Sequence, residues 1–370
     1  MPAAEIRVYF DNQPADPDLL DKLGEIRVDQ AIGMAAEAQI PVVLAADTEG
    51  NWPALDEDFV QPMRRVRIEV RTGTGDFVAL IDGPIVAQRI EMSAEPNMSL
   101  LTLVAHDDTA LLSLEEEVAL FEDLPAHEIA RTLYQARGLD ARVEDTEPAS
   151  GSLPRYVVRR GTEMQLLREL ARQTGMYAYV EPGSEPGTSV GVFARPEETA
   201  GDLPDLVLMG ADRNVDSFSV EFDALRPLRA SARSIDIAAK SVLTALEDAI
   251  SSRPLGSEPV HDAVSPGATL LARTRETQSD LTAATRAAVD ASGWALAARA
   301  EVTAEVYPAV MTPYKVIRVL GAGGRLSGDY LISDISHVIG FAAYTQTVGL
   351  RRNARSSGGG GLAGAVGGLF

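Results

Sequence analysis

The sequence contains no cysteine, only three lysines (Lys22, Lys240 and Lys315) and only four histidines among its 370 residues. The absence of cysteine excludes disulfide bonds, thiolate-bound zinc, iron–sulfur clusters and cysteine nucleophiles. No apolar run reaches the roughly 18 residues that a transmembrane helix requires, so we expect no membrane insertion by this chain. The first five residues carry neither a basic segment nor an apolar core, as a secretory signal would. We therefore expect assembly in the cytoplasm.

Acidic residues outnumber basic ones by 54 to 33, which gives a net charge of −21. A chain this acidic repels the phosphate backbone, so direct and specific nucleic-acid binding is not expected. The charge favours solubility. Alternatively, it provides a negative surface along which other acidic polymers slide without adhering.

Residues 1–115 are rich in strand patterns. Residues 65–71 alternate apolar and charged side chains, residues 72–76 form a turn cluster, and residues 77–83 resume the alternation. This spacing predicts a β-hairpin in a half-buried antiparallel sheet. We interpret residues 1–115 as a first tube-like β-barrel domain.

Residues 116–204 change character and predict a small α+β domain. The first predicted helix has apolar residues at helical spacing and stops at Gly138. In the second, Thr162 and Gln165 fit a capping box, an apolar stripe follows, and Gly175 ends the helix.

Residues 205–355 return to strands and predict a second tube-like β domain. Within it, residues 251–278 are rich in Ser, Pro and Gly and predict a loop, and residues 280–300 predict an alanine-rich helix. That helix is interrupted at Ser292–Gly293, with Trp294 as its anchor. Residues 356–370 form a Gly-rich tail with an apolar end, for which we weigh a flexible end against docking on a partner.

The search for chemistry yields no catalytic, cofactor-binding or metal-binding residues. None of the histidines has metal-ligand spacing. His106 is interpreted as part of a turn, His127 as solvent-facing in a first helical turn, and His337 as a satisfied core or interface residue. The carboxylates of residues 56–58 and 115–117 select no acid–base pair. Residues 321–324 predict a hairpin turn, because no helix follows to form a phosphate site. The chain is therefore not expected to be an enzyme, and no cofactor is implied.

Three segments together resemble a known family. The first runs from Glu122 to Ala130 and continues to Gly138–Leu139. The second runs from Tyr156 to Ala171 and continues to Gly175–Tyr177. The third combines Gly328–Ile332, His337, Tyr344–Thr347 and Arg352–Asn353. In this order they are similar to the baseplate hub proteins of contractile machines, namely the phage late-control gene D protein and the N-terminal hub region of VgrG spike proteins.

This resemblance implies two tube-like antiparallel β-barrel domains that flank the α+β domain. It also implies a homotrimeric ring that joins a threefold spike to a sixfold inner tube, as a component of a phage virion or contractile injection particle. VgrG chains continue into a needle that has no counterpart here, so a separate spike protein is expected. The other implied partners are the inner tube or a tube-initiator protein and baseplate wedge components.

Two alternatives remain open at the level of the sequence. One is a tube-initiator or adaptor ring of the same baseplate, with six subunits in place of three. The other is a baseplate-associated cell-wall hydrolase, which would need a carboxylate pair or a metal site in a cleft. The type of machine (phage tail, extracellular injection system or secretion system) and its cargo stay undetermined.

Overall fold

The structure, a computed structural model, describes residues 4–95, 98–146, 156–237, 239–272, 277–340 and 343–356. The predicted tail from residue 357 lies outside these residues. Strands account for 45% of the chain and helices for 16%. The predicted fold class, mainly β with an α+β insert, is confirmed.

The first β region forms one curved sheet. Its strands are β1 (Ala4–Phe10), β2 (Gln13–Pro14), β3 (Ile26–Ala31), β4 (Glu37–Leu44), β5 (Arg65–Thr72), β6 (Val78–Glu91) and β7 (Ser99–His106). A short helix, α1 (Pro17–Leu20), and 3-10 turns at Pro53–Leu55, Asp58–Val60 and Leu111–Ser113 join or follow them. The order β3-β4-β7-β6-β5-β1-β2 wraps around a single apolar core. The predicted hairpin of β5 and β6 is confirmed.

The α+β region has a core of its own, drawn from residues between Leu112 and Phe193. Its elements are β8 (Glu117–Glu122), α2 (Ala126–Ala136), β9 (Asp140–Val143), β10 (Tyr156–Gly161), α3 (Glu163–Thr174), β11 (Tyr177–Pro182) and β12 (Ser189–Ala194). The predicted capping box of Thr162 and Gln165 is confirmed at the start of α3, and Gly175 ends that helix with a φ of 71°. These local signals act as expected, because a positive φ suits glycine.

The remaining elements form the second β region. They are β13 (Leu206–Val207), β14 (Ser217–Phe222), β15 (Leu228–Asp236), β16 (Ser241–Glu247), β17 (Glu258–Pro259), α4 (Val260–Ala263), β18 (Gly267–Ala272), α5 (Gln278–Ser292), β19 (Leu296–Thr303), β20 (Val316–Leu320), β21 (Gly328–Ile339), β22 (Tyr344–Arg352) and β23 (Ala354–Arg355). Strands β14-β19-β22-β21-β20 enclose a third core.

Two predictions about this region are wrong. The helix predicted over residues 280–300 ends at Ser292, and Leu296–Thr303 is strand β19. Its alternate residues are buried, and it pairs on both sides with β14 and β22. This tertiary pairing outweighs the helix propensity of its alanines. The loop predicted over residues 251–278 contains β17, α4 and β18, and β18 completes a three-stranded sheet with β15 and β16 that α5 contacts.

The two β regions are joined edge to edge. Strand β3 of the first pairs antiparallel with the second half of β21, from Ala31 opposite Asp334 to Ile26 opposite Ile339. One continuous sheet of 13 strands results. The polar groups of these two strand edges are therefore paired within the chain.

The two β regions are structural repeats of each other. The strand order β5-β6-β7-β4-β3 in the first matches β20-β21-β22-β19-β14 in the second, and every neighbouring pair is antiparallel. A register shift interrupts β6 between Ile85 and Ala87, and a shift at the equivalent place interrupts β21 between Ile332 and Asp334. Aligning the two shifts superimposes the pairing registers of all five strands.

Details outside the register support the repeat. Arg67 lies opposite Asp82 across β5 and β6, and Arg318 lies opposite Asp329 at the equivalent position; both pairs form ion pairs. The residues two before β5 and two before β20, Met63 and Tyr314, both have positive φ, 66° and 69°. Their N–H groups donate to the carbonyls just before the two register shifts, at 2.8 and 3.1 Å. A non-glycine residue with positive φ is uncommon, so its recurrence indicates a conserved turn within the chain.

Candidate assembly interface

A network of buried charges fixes the α+β region to the first β region. The Arg67 side chain is only 4% exposed, and its Nε donates to Glu69 Oε1 at 2.7 Å. Its Nη1 donates to Asp82 Oδ2 at 3.1 Å and to the carbonyl of Gly183 at 2.9 Å. The N–H of Gly187 donates to the same Asp82 oxygen at 2.9 Å. The loop between β11 and β12 is thus held by hydrogen bonds to buried charged groups, which are stronger than hydrogen bonds between neutral groups.

Arg65 extends this network. Its guanidinium binds Asp108 through both terminal nitrogens, at 2.9 and 2.8 Å, and Asp82 Oδ1 through Nε at 2.6 Å. It also donates to Ser189 Oγ, at the start of β12, at 3.0 Å. The two guanidinium groups therefore hold three carboxylates and one loop in a single geometry, and we expect the two regions to move as one body.

The second family-like segment acts as a joint within the α+β region. Glu163, which is 5% exposed, accepts hydrogen bonds from Arg137 at 2.6 Å and from Arg159 at 3.1 Å. Gly161 has a φ of 125°, and a Cβ there would lie 2.1 Å from Gln165 Oε1, the atom that completes the capping box. The glycine, the acid and the amide of this segment therefore fix the angle at which β10 enters α3.

The third segment closes the second β region around a buried cation. Arg352 is 1% exposed and donates to the carbonyls of Leu255 and Ser327 at 2.8 and 3.1 Å and to Ser356 Oγ at 2.7 Å. Its guanidinium carbon lies 5.2 Å from the ring centre of Tyr330. A Cβ at Gly328 would lie 2.5 Å from Arg352 Nη2, so glycine leaves the space that the cation fills.

Asn353 continues this closure. Its Oδ1 accepts from the N–H of Leu255 at 2.8 Å, and its Nδ2 donates to the carbonyl of Arg253 at 3.0 Å. The Arg–Asn pair thus ties residues 253–256 to the end of β22. Sequence patterns could locate these motifs but could not show that their polar side chains serve a joint.

The histidines lie at separate places in the fold. His337 is fully buried, with Nδ1 2.7 Å from the Tyr344 hydroxyl, and burial lowers its pKa to about 3; the prediction of a satisfied core residue is confirmed. His106 ends β7, 3.3 Å from a Glu37 carboxylate oxygen. The prediction that His127 faces solvent is wrong, because its side chain is 13% exposed and its Nδ1 lies 3.0 Å from Thr146 Oγ1. His261 is buried beside the carbonyl of Leu228.

In the described part of the chain, no group of three or more His, Asp or Glu side chains could hold a metal ion. Residues 321–324 form the predicted hairpin turn between β20 and β21. Glu115 and Glu117 are ion-pair partners of Arg137 and Arg159.

A cleft of about 910 Å³ lies between α3 and α5. Its lining mixes exposed charges of both signs: Arg168, Arg172, Arg253, Arg286, Glu197 and Glu198. Because the charges are mixed, the cleft has no single electrostatic preference. No helix of the described residues is both long and apolar enough to cross a membrane.

Exposed apolar side chains concentrate on three strand surfaces. The β8–β10 face is formed by Val118, Leu120, Tyr156 and Val158, which are 75, 61, 52 and 40% exposed. The β15–β18 face is formed by Ile235, Val242, Leu246 and Leu270. These four side chains and that of Ile237 are 59–68% exposed. The third surface lies at the end of β6, where Ile90 and Met92 are 46 and 57% exposed. Apolar patches of this kind mark interaction surfaces. Sequence reasoning missed them, because a strand's alternation does not tell which face a partner covers.

Two strand edges are also open. Beyond Ile85, β6 pairs with β7 on one side and with no other strand of the described residues. At the opposite end of the 13-stranded sheet, β14 pairs only with β19 in the same part of the chain. Open edges offer unpaired N–H and C=O groups to another chain.

Comparison with known proteins agrees with this architecture. The family profile described as the Alg8 N-terminal domain matches residues 20–340. The 43 kDa tail protein of prophage MuSo2 from Shewanella oneidensis has a similar structure, with a TM-score of 0.65 and 14% identity over 95% of this chain and 98% of that one. A tail protein from Neisseria meningitidis MC58 gives a TM-score of 0.66 and 11% identity over 95% and 97% of the two chains.

A third structure comes from Escherichia coli. Its c3393 protein, described as a component of the type VI secretion system with structural similarity to the T4 bacteriophage tail proteins gp27 and gp5, gives a TM-score of 0.55 and 10% identity over 94% of this chain and 76% of that one. A search of the curated protein sequences finds no match. The expected relationship to baseplate hub proteins is confirmed at the level of the fold. The chain belongs to the Alg8 N-terminal domain family and has the fold of phage tail and type VI secretion proteins.

Proposed function

We propose that this protein is the structural hub subunit of the baseplate of a contractile tail or injection machine. Three copies form a ring that joins a threefold spike to a sixfold inner tube. The observation that carries this proposal is the internal repeat: each chain contributes two five-stranded repeat sheets of the same strand order and register, joined edge to edge within its 13-stranded sheet. Three copies therefore present six equivalent sheets, which matches sixfold symmetry on one side and threefold symmetry on the other.

The parts that occur once per chain fit the same proposal. The α+β region and the three-stranded sheet β16-β15-β18 lie outside the repeat. In a trimer they appear three times, and so do the exposed apolar faces that they carry. The spike is a separate protein that contacts a threefold surface, and the inner tube or its initiator contacts the six sheets. Baseplate wedge components take the β8–β10 and β15–β18 faces, since apolar patches on a soluble subunit favour protein partners.

The role is architectural, and the chain carries no catalytic step. The polar groups that stand out in the structure are used as joints: Arg67 and Asp82 between regions, Glu163 at α3, and Arg352 at the end of β22. Incubating the purified protein with peptidoglycan tests this point, and release of soluble muropeptides would identify a hydrolase.

The mass of the assembly tests the ring. Light scattering on the purified 39.4 kDa chain should give three times the subunit mass, and electron microscopy should show a ring with six similar lobes. Six subunits per particle would favour the alternative adaptor ring. A monomer at all accessible concentrations, with or without tube protein, would overturn the proposal.

A further inference from the structure

The repeat also determines how one copy should join the next. Within one chain, the outer edge of β3 in the first repeat pairs with the second half of β21 in the second repeat. The equivalent of β3 in the second repeat is β14, and the equivalent of β21 in the first repeat is β6. Both of these equivalents have open edges in the described chain. Within one chain this strand pairing therefore occurs once. The two strand edges that would form its equivalent, those of β14 and β6, are both present but do not pair with each other.

We infer that β14 of one copy pairs antiparallel with residues 87–92 of the next copy, which are the end of β6 and the residue that follows it. This inference rests on the proposed ring and names the surface by which its subunits join. The contact runs head to tail, because it uses two different edges of the chain. It repeats the geometry of the β3–β21 junction, so junctions within chains and between chains alternate around the ring.

The register of this contact follows from the repeat. Val220 is the equivalent of Val28, because each lies opposite an equivalent alanine, Ala298 or Ala38. Ile85 precedes the register shift in β6, and Ile332 precedes the shift in β21. Ile90 and His337 each lie five residues after these positions and are therefore equivalent. Since Val28 lies opposite His337 within the chain, Val220 of one copy should lie opposite Ile90 of the next.

The side chains in this register are complementary. Counting from Ile90 opposite Val220, Arg89 falls opposite Glu221, and Met92 falls opposite Phe218. Arg89 and Glu221 are both exposed in the single chain, and opposite charges at facing positions stabilise a strand pair. On the other face of the strands, Ile90 and Met92 meet the half-buried Val220 and Phe218.

The same register accounts for an otherwise unfavourable feature. Ile90 and Met92 are about half exposed in the single chain, on a strand whose edge is open. Such an edge promotes uncontrolled association unless a specific partner covers it. In the ring, β14 covers the edge and the apolar side chains together.

Engineered disulfides test the register directly, because the chain contains no cysteine of its own. The variant Ile90→Cys/Val220→Cys places two thiols at facing positions, where Cβ atoms lie roughly 4.5–5.5 Å apart and a small adjustment forms the bond. Oxidation should yield covalent dimers and trimers on a denaturing gel. The matched control, Arg89→Cys/Val220→Cys, places its thiols on opposite faces of the sheet and should remain monomeric on the same gel.

A charge exchange gives a second, independent measurement. Arg89→Glu and Glu221→Arg should each weaken subunit association by about tenfold or more, because like charges then face each other. The double variant Arg89→Glu/Glu221→Arg should restore association to within about threefold of the original protein. Sedimentation velocity at several concentrations measures the dissociation constants.

The results separate this inference from the proposed function. A trimer whose control variant cross-links while the facing pair does not would overturn the register and leave the hub standing. If the original protein forms a trimer but the double variant Arg89→Glu/Glu221→Arg does not recover its association, the β14–β6 contact is overturned and the hub is left standing. A chain that never associates would overturn the ring and this contact together.

Discussion

The guanidinium of Arg352 is buried without a carboxylate partner among the described residues, and carbonyl and hydroxyl oxygens surround it. A buried cation of this kind is stable only where every donor has an acceptor and the surrounding space fits it. Gly328 provides that space, with a φ of 137° that few other residues adopt. Small changes at this glycine should therefore act on the whole closure of the second β region.

Gly328→Ala should lower the free energy of unfolding by about 3–4 kcal/mol, because its Cβ would overlap Arg352 Nη2 in addition to straining the backbone. The control is Gly323→Ala. Gly323 has a positive φ of 85° with no atom within 4 Å of the added Cβ, so only the backbone cost of about 1–2 kcal/mol applies. Denaturant titrations of both variants measure the difference. Equal losses would show that Arg352 moves aside without cost.

His337 should make stability depend on pH. Burial lowers its pKa to about 3 from the ordinary 6.5, so the unfolded chain binds a proton more readily than the folded one between these values. Its contribution is therefore complete above pH 6.5 and is lost as the pH falls toward 3. Asp107 acts in the opposite sense, because burial raises the pKa of its carboxyl to about 6.

The variant His337→Gln isolates the histidine from Asp107. The stability difference between the original protein and the variant should rise by up to about 1.4 kcal/mol per pH unit from pH 4 to pH 6.5 and then become constant. Denaturant titrations across this range measure it. A difference that does not change with pH would mean that the imidazole of His337 is not held neutral in the folded state.

Equivalent elements of the two repeats carry the same ion pair in different surroundings. Arg67 and Asp82 lie in the buried network that holds the loop at Gly183. Arg318 and Asp329 occupy the same register at the surface, with side chains 49 and 24% exposed. The repeat thus provides an internal comparison of one interaction at two depths.

Arg67→Met should cost about 3–5 kcal/mol, since buried Glu69 and the carbonyl of Gly183 would lose the cation that they bind, and Asp82 would keep only Arg65 and the N–H of Gly187. Arg318→Met should cost less than about 1 kcal/mol, as exposed pairs contribute little. Thermal unfolding followed by denaturant titration compares them. Similar costs for both would contradict a structural role for the buried network.

The sequence predicted the elements whose signals are local. Thr162, Gln165 and Gly175 define α3 by capping, and the turn between β5 and β6 has its own chemistry. Prediction from the sequence failed where the conformation depends on a strand distant in the chain. Strand β19 forms by pairing with β22, and β18 forms by pairing with β15. The repeat was visible only as a general similarity of the two β regions, because most equivalent positions share register but differ in residue type: Gly83, for example, corresponds to Tyr330.

The candidate interface could not be predicted from the sequence for the same reason. Ile90 and Val220 each lie in an ordinary alternating strand, and nothing local distinguishes an apolar residue that faces a core from one that faces another copy. The three family-like segments were recognisable in order, yet the polar residues of the second and third segments serve as joints. Their function depends on contacts between regions, such as that of Arg352 with Leu255.

Assembly of the whole molecule should respond to salt. Each chain carries a net charge of −21, so a ring brings together subunits that repel one another. Raising the ionic strength from about 0.02 to about 0.2 M shortens the screening length from roughly 20 to roughly 7 Å, which weakens this repulsion more than the close contact of Arg89 with Glu221. We expect the dissociation constant of the ring to fall several-fold. Sedimentation velocity at the two salt concentrations measures it, and weaker association at high salt would mean that a few ion pairs dominate.

The pairing of β3 with β21 also has a consequence for biosynthesis. Strand β3 leaves the ribosome about 300 residues before its partner, which at about 5–20 residues per second corresponds to a delay on the order of 15–60 s. During this time the first β region can fold around its own core, but one edge of its sheet stays without a partner. Nascent chains on a shared messenger are close neighbours in this interval. A chaperone that shields an exposed strand edge should therefore raise the yield of soluble subunit more during translation than after it.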